Sequence, residues 1–332
     1  MSEDNKDLNL QRPQQQHHHH HHHRHHRVRN TIIAILAILV VGSGMYVAYA
    51  WHKLSQTSKV IYKSAGAPKL RSASKVISKQ KPVSILLLGT DTGALGRSYK
   101  GRTDTIMIMT INPKTNKTTM VSLPRDMKVN LPGYAKYSPA KINAAYTYGG
   151  VKETITTVQD YLHVPIDYYL LINMGGLEKA IDKVGGVDVT SPLSFNYEGA
   201  TFKKGQTYHL NGSKALKFSR MRYDDPRGDY GRQERQRLII AALLKKSISY
   251  KTVLNDDFLM AIADEMQTDL TRNDMLGLAL HYRNAGKNST SDHAQGTTEM
   301  IGGQSFEVVS SAERTRVSNE LHQSLGLNSS NQ

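Results

Sequence analysis

The stretch VSILLLGTD, residues Val83–Asp91, is a continuous apolar run that ends in glycine, threonine and aspartate. A strand that is buried on both faces has this pattern, because neither of its faces meets water. The functional groups of α/β proteins tend to lie at the carboxyl ends of such strands. The stretch therefore predicts a central strand whose carboxyl end, at Asp91, belongs to a functional site.

The segments that follow predict a hairpin and then an alternation of helices and strands. TIMIMTIN (Thr105–Asn112) and TTMVSLPRD (Thr118–Asp126) are separated by the short turn PKTNK, which is typical of a hairpin. A helix to about Leu162, the strand DYYLLIN, the helix GLEKAIDKVGG and the strand VDVTSP come next. This order predicts an α/β fold in which helices sandwich a mixed central sheet. Further helices are predicted at Gly231–Ser249 and, from their capping residues, after Asn211, Thr271 and Ser311.

The segment Thr31–Ala50 contains no charged residue. At about 1.5 Å per residue it is just long enough to cross a hydrocarbon core of about 30 Å, and it therefore predicts one transmembrane helix. A buried core helix is less favoured because no polar stripe is present, and a cleaved signal peptide because no clear cleavage site follows. Arginines before the span favour a cytoplasmic N-terminus, although lysines after it reduce the asymmetry.

These features predict five regions along the chain. Residues 1–30 form a cytoplasmic His-rich tail, 31–50 the transmembrane helix, 51–81 a stalk or linker, 82–327 an extracytoplasmic catalytic domain, and 328–332 a disordered end. The linker assignment depends on the Ser, Lys and Ala content of residues 52–81 and on their weak apolar periodicity. The histidine tract at His17–His26 is either a native low-complexity segment or a purification tag, and we assign it no catalytic role.

Composition indicates an anionic partner. The formal net charge is +15 and the pI is about 9.7, which fits nucleic acid, a phospholipid surface or a phosphate-rich polymer. The chain has no cysteine, so disulfides and thiolate metal sites are excluded. Any metal would have to be bound by oxygen or imidazole ligands.

The stretch SRMRYDDPRGDYGRQERQR, residues Ser219–Arg237, places six arginines among four acidic residues between two predicted helices. Guanidinium groups match the geometry of phosphate oxygens, and a helix N-terminus also attracts anions. A phosphate-binding pocket competes here with a solvated, salt-bridged surface. A nucleic-acid contact is disfavoured, because the interleaved acids would repel a phosphate backbone.

Charged residues also cluster at the predicted strand ends. Asp91 ends the first strand, Asp104 begins the second, and Arg125 and Asp126 end the third. Two neighbouring carboxylates repel each other, and a hard cation such as Mg²⁺ would relieve that repulsion while binding substrate phosphate. The combination predicts metal-assisted phosphoryl transfer. No Walker-type loop is present, so a P-loop nucleotide substrate is not expected.

The successive segments ILLLGTDTG, GRTDTIMIMTINPKTNKTTMVSLPRD, KINAAYTYGG, PIDYYLLINMGGLEKAIDKVGGVDV and SRMRYDDPRGDYGRQERQR resemble the signatures of the LytR-CpsA-Psr family. The resemblance extends over about Val83–Ser249, in order and at natural spacing. It implies a membrane-anchored phosphotransferase of the Gram-positive cell envelope. Such an enzyme would move wall teichoic acid, capsular polysaccharide or exopolysaccharide from undecaprenyl diphosphate to a peptidoglycan hydroxyl. The implied partners are this lipid-linked glycopolymer, peptidoglycan and membrane lipid, without nucleic acid.

The resemblance also implies the site residues. Asp91 and Asp104 would bind Mg²⁺ or Mn²⁺, while the diphosphate would be surrounded by Arg102, Arg125, Arg220, Arg222, Arg232 and Gln236, with Arg227 and Asp229 as further substrate-binding residues. A cavity for the polyprenyl chain is implied, in which Leu238–Leu244 would form a wall or else ordinary core. The general base stays open between Asp104, Asp229 and water. Alternative functions are a membrane-linked transcriptional regulator and a phosphatase that cleaves the lipid diphosphate with water.

Overall fold

The computed structural model describes residues 61–90, 101–247 and 260–328. The predicted transmembrane helix, the His-rich tail, Asp91 and the last four residues lie outside these ranges. Within the described ranges, we find no helix that is both long enough and apolar enough to cross a membrane.

Seven α-helices have both ends in the described part of the chain: α1 (Ala73–Ser78), α2 (Ile142–Leu162), α3 (Met174–Lys183), α4 (Gly212–Arg220), α5 (Asp229–Ser247), α6 (Arg272–His281) and α7 (Ser311–Leu325). Short 3₁₀ turns lie at Pro132–Tyr137, Ala263–Glu265 and Ala285–Lys287. The predicted cap residues are confirmed for α4 and α6. Asn211 accepts a hydrogen bond from the Lys214 amide, and Thr271 forms a capping box with Asp274. In α7 the side chain of Ser310, one residue before the predicted Ser311, caps the helix.

The strands of the described ranges are β1 (Val83–Thr90), β2 (Thr103–Asn112), β3 (Lys117–Leu123), β4 (Lys128–Val129), β5 (Ala140–Lys141), β6 (Tyr168–Asn173), β7 (Val187–Thr190), β8 (Phe195–Tyr197), β9 (Ala200–Phe202), β10 (Thr207–Leu210), β11 (Met266–Thr268), β12 (Ser289–His293), β13 (Thr297–Ile301) and β14 (Gln304–Val308). Six of them form one sheet in the order β11-β6-β1-β2-β3-β12. Strand β1 pairs antiparallel with β2 and parallel with β6, so the sheet is mixed, as predicted. The predicted hairpin is the antiparallel pair β2 and β3.

Helices cover both faces of the central sheet. On one face, Leu86 and Leu88 of β1 pack with apolar residues of α2 and α7. On the other, Ile85 and Leu87 pack with residues of α1, α5 and α6. Because side chains alternate along a strand, the unbroken apolar run of β1 supplies both cores. A third cluster joins α3, α4 and α5 to strands β7 to β10.

Residues 61–81, which the sequence predicts as part of the linker, pack on the domain. Ile61 is fully buried, and Tyr62 bridges Thr268 at the edge of the central sheet. Arg71 pairs with Asp167, whose side chain is completely buried, and Val76 of α1 joins the core. The folded domain therefore extends from Pro82 back to at least Ile61. Few apolar residues anchor this segment, which explains why its composition resembles a linker.

Candidate active site

The site is built at the edge of the sheet where β1 and β3 end and β2 begins. The antiparallel register places Thr90 of β1 opposite Thr103 of β2, and Asp104 follows Thr103 directly. After β3, Arg125 reaches Asp104, with its Nη1 2.7 Å from the Asp104 Oδ1 atom. The predicted convergence of charged groups at this edge is confirmed for these two residues. Asp91, which follows Thr90 in the chain, lies outside the described residues.

Helix α5 brings a second set of charged groups to the same edge. Arg232 lies with Nη2 2.7 Å from the Asp229 Oδ1 atom and donates a hydrogen bond of 3.2 Å to the Asp104 carbonyl oxygen. Arg222, from the loop before α5, has its Nε 3.9 Å from the same Asp229 oxygen. We call Arg125, Arg222, Arg232, Asp104 and Asp229 the guanidinium cluster. Asp126 lies 3.6 Å from the Arg125 Nε atom and also pairs with Lys141 at 2.9 Å. With this pair counted, four cationic groups oppose three carboxylates, and the surplus of positive charge suits an anionic ligand.

The pKa values of Arg232 and Arg125 shift in opposite directions. Burial lowers the pKa of Arg232, and the nearby Arg125 and Arg222 lower it further against the opposing effect of Asp229 and Asp104. For Arg125, burial is outweighed by Asp104, Asp229 and Asp126, which together raise its pKa. Within the described part of the chain, the buried Nε atoms of Arg125 and Arg232 have no hydrogen-bond partner, and Asp126 Oδ2 lies 3.6 Å from the Arg125 Nε atom. Since such buried donors are costly, an additional acceptor, such as a phosphate oxygen, would be stabilising here.

The remaining predicted residues lie around this cluster. Arg102 is exposed and directly precedes β2. The Nη1 atom of Arg220 lies 3.7 Å from the Glu198 Oε1 atom. Arg227 pairs with Glu234 at 2.5 Å and points to that carboxylate rather than to Asp229. Gln236 lies one helical turn beyond Arg232, as predicted. Its side-chain oxygen is buried and has no hydrogen-bond partner among the described residues.

An apolar cavity begins beside the cluster. It has a volume of about 260 Å³, and its lining includes Thr105, which follows Asp104, and Gln236, which follows Arg232 by one turn. Deeper in, the walls are almost wholly hydrocarbon, from Met107 and Met109 of the sheet to Leu244 of α5. The cavity lies on the α5 face of the sheet. The predicted lining by Leu238–Leu244 is confirmed for Ile239, Ile240, Leu243 and Leu244.

Arg235 fixes the arginine-rich loop that carries Arg222, a role that the sequence did not predict. Arg235 has no exposed side-chain surface, and its guanidinium donates hydrogen bonds to the Asp225 carboxylate and to the carbonyl oxygens of Phe218 and Met221. A Cβ atom on Gly231 would lie 1.8 Å from Asp225 Oδ2, so only glycine leaves room for this carboxylate against α5. The pair holds the loop that carries Arg222. One of the six arginines is thus structural, and nothing in its local sequence distinguishes it.

A bound metal would rely on few protein ligands in the described part of the chain. Among residues 61–90, 101–247 and 260–328, no group of three or more His, Asp or Glu side chains could bind a metal ion. Asp104 uses Oδ1 for Arg125, and no residue of the described ranges pairs with its Oδ2 atom. Mg²⁺ is commonly held by one or two carboxylates together with phosphate oxygens and water, so this sparse oxygen set is compatible with it.

Comparison with known proteins identifies the family of this chain. The model of the LytR_cpsA_psr family matches residues 48–323. The chain belongs to the LytR-CpsA-Psr family. A polyisoprenyl-teichoic acid–peptidoglycan teichoic acid transferase TagU of Enterococcus faecalis is 41% identical over 295 residues, covering 89% of this chain and 95% of its own. The Bacillus subtilis protein of the same name is 37% identical, covering 89% of this chain and 95% of its own.

Solved structures of family members share the fold. The B. subtilis TagU crystal structure is 33% identical, with a TM-score of 0.59, and the match covers 74% of this chain and 97% of TagU. The structure of TagT bound to LI-WTA is 25% identical, with a TM-score of 0.64, and the match covers 80% and 100% of the two chains. The α/β architecture with a mixed central sheet is therefore that of the family.

Proposed function

We propose that this protein transfers an anionic glycopolymer, such as wall teichoic acid, capsular polysaccharide or exopolysaccharide, from undecaprenyl diphosphate to a peptidoglycan hydroxyl. The observation that carries the proposal is the junction between the apolar cavity and the guanidinium cluster. A polyprenyl diphosphate has the same two parts, a long hydrocarbon chain and a doubly phosphorylated end. The relatives named as teichoic acid transferases, at 37% to 41% identity, support the same reaction.

In this mechanism the cavity holds the hydrocarbon chain, and Arg125, Arg222 and Arg232 bind the diphosphate at its mouth. The acceptor hydroxyl attacks the phosphorus that carries the glycopolymer. A new phosphodiester bond forms to the acceptor, and the bond to the bridging oxygen breaks, so that lipid phosphate leaves. Guanidinium groups placed around the diphosphate stabilise the charge that develops on this leaving group. The hydroxyl proton passes to Asp229 or to water.

We also propose a Mg²⁺ ion in this site. Asp104, through its Oδ2 atom, and Asp91, which follows β1, would hold it. Bound there, the ion would supply charge neutralisation at the phosphate oxygens. The proposed topology is a single transmembrane helix at Thr31–Ala50, with the N-terminus in the cytoplasm and the catalytic domain outside.

The test uses the full chain in detergent, a synthetic polyprenyl-diphosphate glycan, peptidoglycan oligomers and Mg²⁺, with products followed by mass spectrometry. We expect a phosphodiester-linked glycan on the peptidoglycan. Arg125→Ala and Arg222→Ala should abolish its formation. Arg283→Ala is the matched control, because this exposed arginine lies outside the site.

Three results would change the assignment or one of its parts. Release of lipid phosphate without a linked product would identify the enzyme as a phosphatase that uses water as acceptor. Unchanged transfer in the Arg125→Ala and Arg222→Ala variants would show that the guanidinium cluster does not carry the reaction. A chelator that leaves transfer intact would exclude the proposed Mg²⁺ requirement.

A further inference from the structure

Three tyrosines form an aromatic surface beside the candidate site. The rings of Tyr137 and Tyr148 stack with centroids 4.3 Å apart and an angle of 11° between their planes, and Tyr134 lies 5.9 Å from Tyr148. Tyr137 and Tyr148 are 43% and 39% exposed. Large aromatic rings are seldom left together in water without a binding role. We call these three residues the tyrosine platform.

The platform is held in place by close packing against α2. The loop that carries Tyr134 and Tyr137 lies on Glu153, whose buried carboxylate accepts a hydrogen bond of 3.0 Å from the Gly133 amide. A Cβ atom on Gly149 would lie 2.7 Å from the Tyr134 ring and 2.4 Å from the Glu153 Cβ, so glycine permits this contact. The rings are therefore presented by a fixed surface rather than by a free loop.

Three contacts connect the platform region to the edge of the sheet where the guanidinium cluster lies. Thr147, the neighbour of Tyr148, donates a hydrogen bond of 3.5 Å to the carbonyl oxygen of Gly101, which precedes Arg102. After the loop that carries Tyr134 and Tyr137, the Nζ atom of Lys141 lies 2.9 Å from the Asp126 Oδ1 atom. The amide of Asn143 donates to the Arg125 carbonyl oxygen at 3.2 Å. Both ends of this region thus join residues next to the guanidinium cluster.

The platform and the apolar cavity lie on opposite faces of the sheet. The cavity is on the α5 face, whereas Tyr148 belongs to α2, which packs on the other face. If the lipid occupies the cavity, lipid phosphate leaves toward the α5 face. In an in-line displacement the attacking oxygen approaches from the side opposite the leaving oxygen. The attacking hydroxyl therefore arrives from the α2 side.

From these observations we infer that the tyrosine platform binds a sugar ring of the acceptor, the peptidoglycan glycan strand, and so positions its hydroxyl for attack. The axial C–H bonds of a pyranose ring present a flat apolar face that can pack against the exposed part of the stacked Tyr137–Tyr148 pair, and the tyrosine hydroxyls offer hydrogen bonds to its edge. Lys136, whose ammonium lies 4.9 Å from the Tyr137 ring centre, adds a cation suited to the carboxylates of such strands. The inference rests on the proposed function for the identity of the acceptor.

The test measures acceptor binding separately from transfer. Soluble peptidoglycan glycan strands are titrated into the full chain in detergent by calorimetry, with wild type, Tyr137→Ala, Tyr148→Ala, Tyr137→Phe and Tyr148→Phe. Each alanine variant should bind the strands about tenfold more weakly, whereas each phenylalanine variant keeps the ring and most of the affinity. Tyr62→Ala is the matched control, because Tyr62 is 46% exposed at the far edge of the sheet. In transfer assays, the KM for acceptor should rise while kcat at saturating acceptor stays within twofold.

The outcomes separate the inference from the proposed function. Alanine variants that bind the strands as tightly as wild type, or a wild type that does not bind them, would overturn the inference even if transfer proceeds. Weaker binding of the lipid-linked donor, with acceptor binding unchanged, would overturn it and assign the platform to the donor polymer. A wild type that binds strands through the tyrosines but transfers nothing would leave the platform standing and refute the proposed function.

Discussion

The buried pair of Asp225 and Arg235 offers a direct test of how the arginine-rich loop is positioned. Neither side chain has any exposed surface, and the pair connects the loop to α5. The Asp225 carboxylate also accepts a hydrogen bond of 2.9 Å from the Arg227 amide. Asp225→Ala therefore removes the only carboxylate within ion-pair distance of Arg235 in the described part of the chain, and leaves a buried charge without a counter-ion.

Removal of one partner of a buried ion pair costs about 3–5 kcal/mol. Arg235 would keep its hydrogen bonds to the carbonyl oxygens of Phe218 and Met221. The expected loss of unfolding free energy is therefore at the lower end of this range, about 3 kcal/mol. For a domain of this size, such a loss lowers Tm by about 6–12 °C. The double variant Asp225→Ala, Arg235→Met should lose less than the sum of the single variants, because no uncompensated charge remains.

The assay is urea unfolding and thermal unfolding of the full chain in detergent, with Glu234→Ala as the matched control. Glu234 pairs with Arg227 in the same region, but the Arg227 side chain is 51% exposed, so this pair should contribute about 1 kcal/mol or less. Since the loop carries Arg222, we also expect slower transfer by Asp225→Ala below its unfolding temperature. An unfolding free energy within 1 kcal/mol of wild type for Asp225→Ala would refute the reasoning.

Three further predictions address catalysis, the cavity and pH. Arg232→Ala should lower kcat for transfer by about 100-fold, with only partial recovery in Arg232→Lys, because an ammonium lacks the planar fork of guanidinium. Leu244→Trp, which fills part of the cavity, should weaken binding of a long-chain donor by about tenfold and of a short-chain donor much less, whereas Leu280→Trp on the surface should change neither. Burial, assisted by the hydrogen bond and charge of Asp292, raises the pKa of Glu320 from 4.5 to about 7. Between pH 4.5 and about 7, the folded protein holds a proton on Glu320 that the unfolded chain has released, so the free energy of unfolding falls as pH rises through this range. Glu320→Gln should therefore unfold at a higher urea concentration than wild type at about pH 8, but not at about pH 4.

The features that could be predicted from sequence are those set by local patterns. The unbroken apolar run of β1 fixes a strand that is buried on both faces, and the turn PKTNK fixes the hairpin of β2 and β3. Asn211 and Thr271 mark helix starts through hydrogen bonds to residues three positions on. Each of these signals involves neighbours in the chain, so no tertiary contact is needed to interpret it.

The features that could not be predicted depend on contacts between distant segments. Arg232 and Arg235 are three residues apart in the same arginine-rich run. Arg232 faces Asp104 in the guanidinium cluster, whereas Arg235 is enclosed by carbonyl oxygens and the Asp225 carboxylate. Only the packing of α4 against α5 separates their roles. In the same way, Tyr137 and Tyr148 are eleven residues apart, and their stacking depends on the way the loop folds back on α2. Charge and aromatic content alone do not reveal such pairings.

Helix α5 explains how one element can match a substrate with two unlike ends. Arg232, Gln236, Ile240 and Leu244 recur every four residues and therefore lie along one side of the helix. Over a rise of about 18 Å, this side changes from guanidinium through amide to hydrocarbon. Its first residue belongs to the guanidinium cluster, and the other three line the apolar cavity. The order of residue types along α5 thus follows the order of groups along a polyprenyl diphosphate. In the proposed function, binding of the phosphates at the guanidinium cluster would therefore be coupled to burial of the hydrocarbon chain.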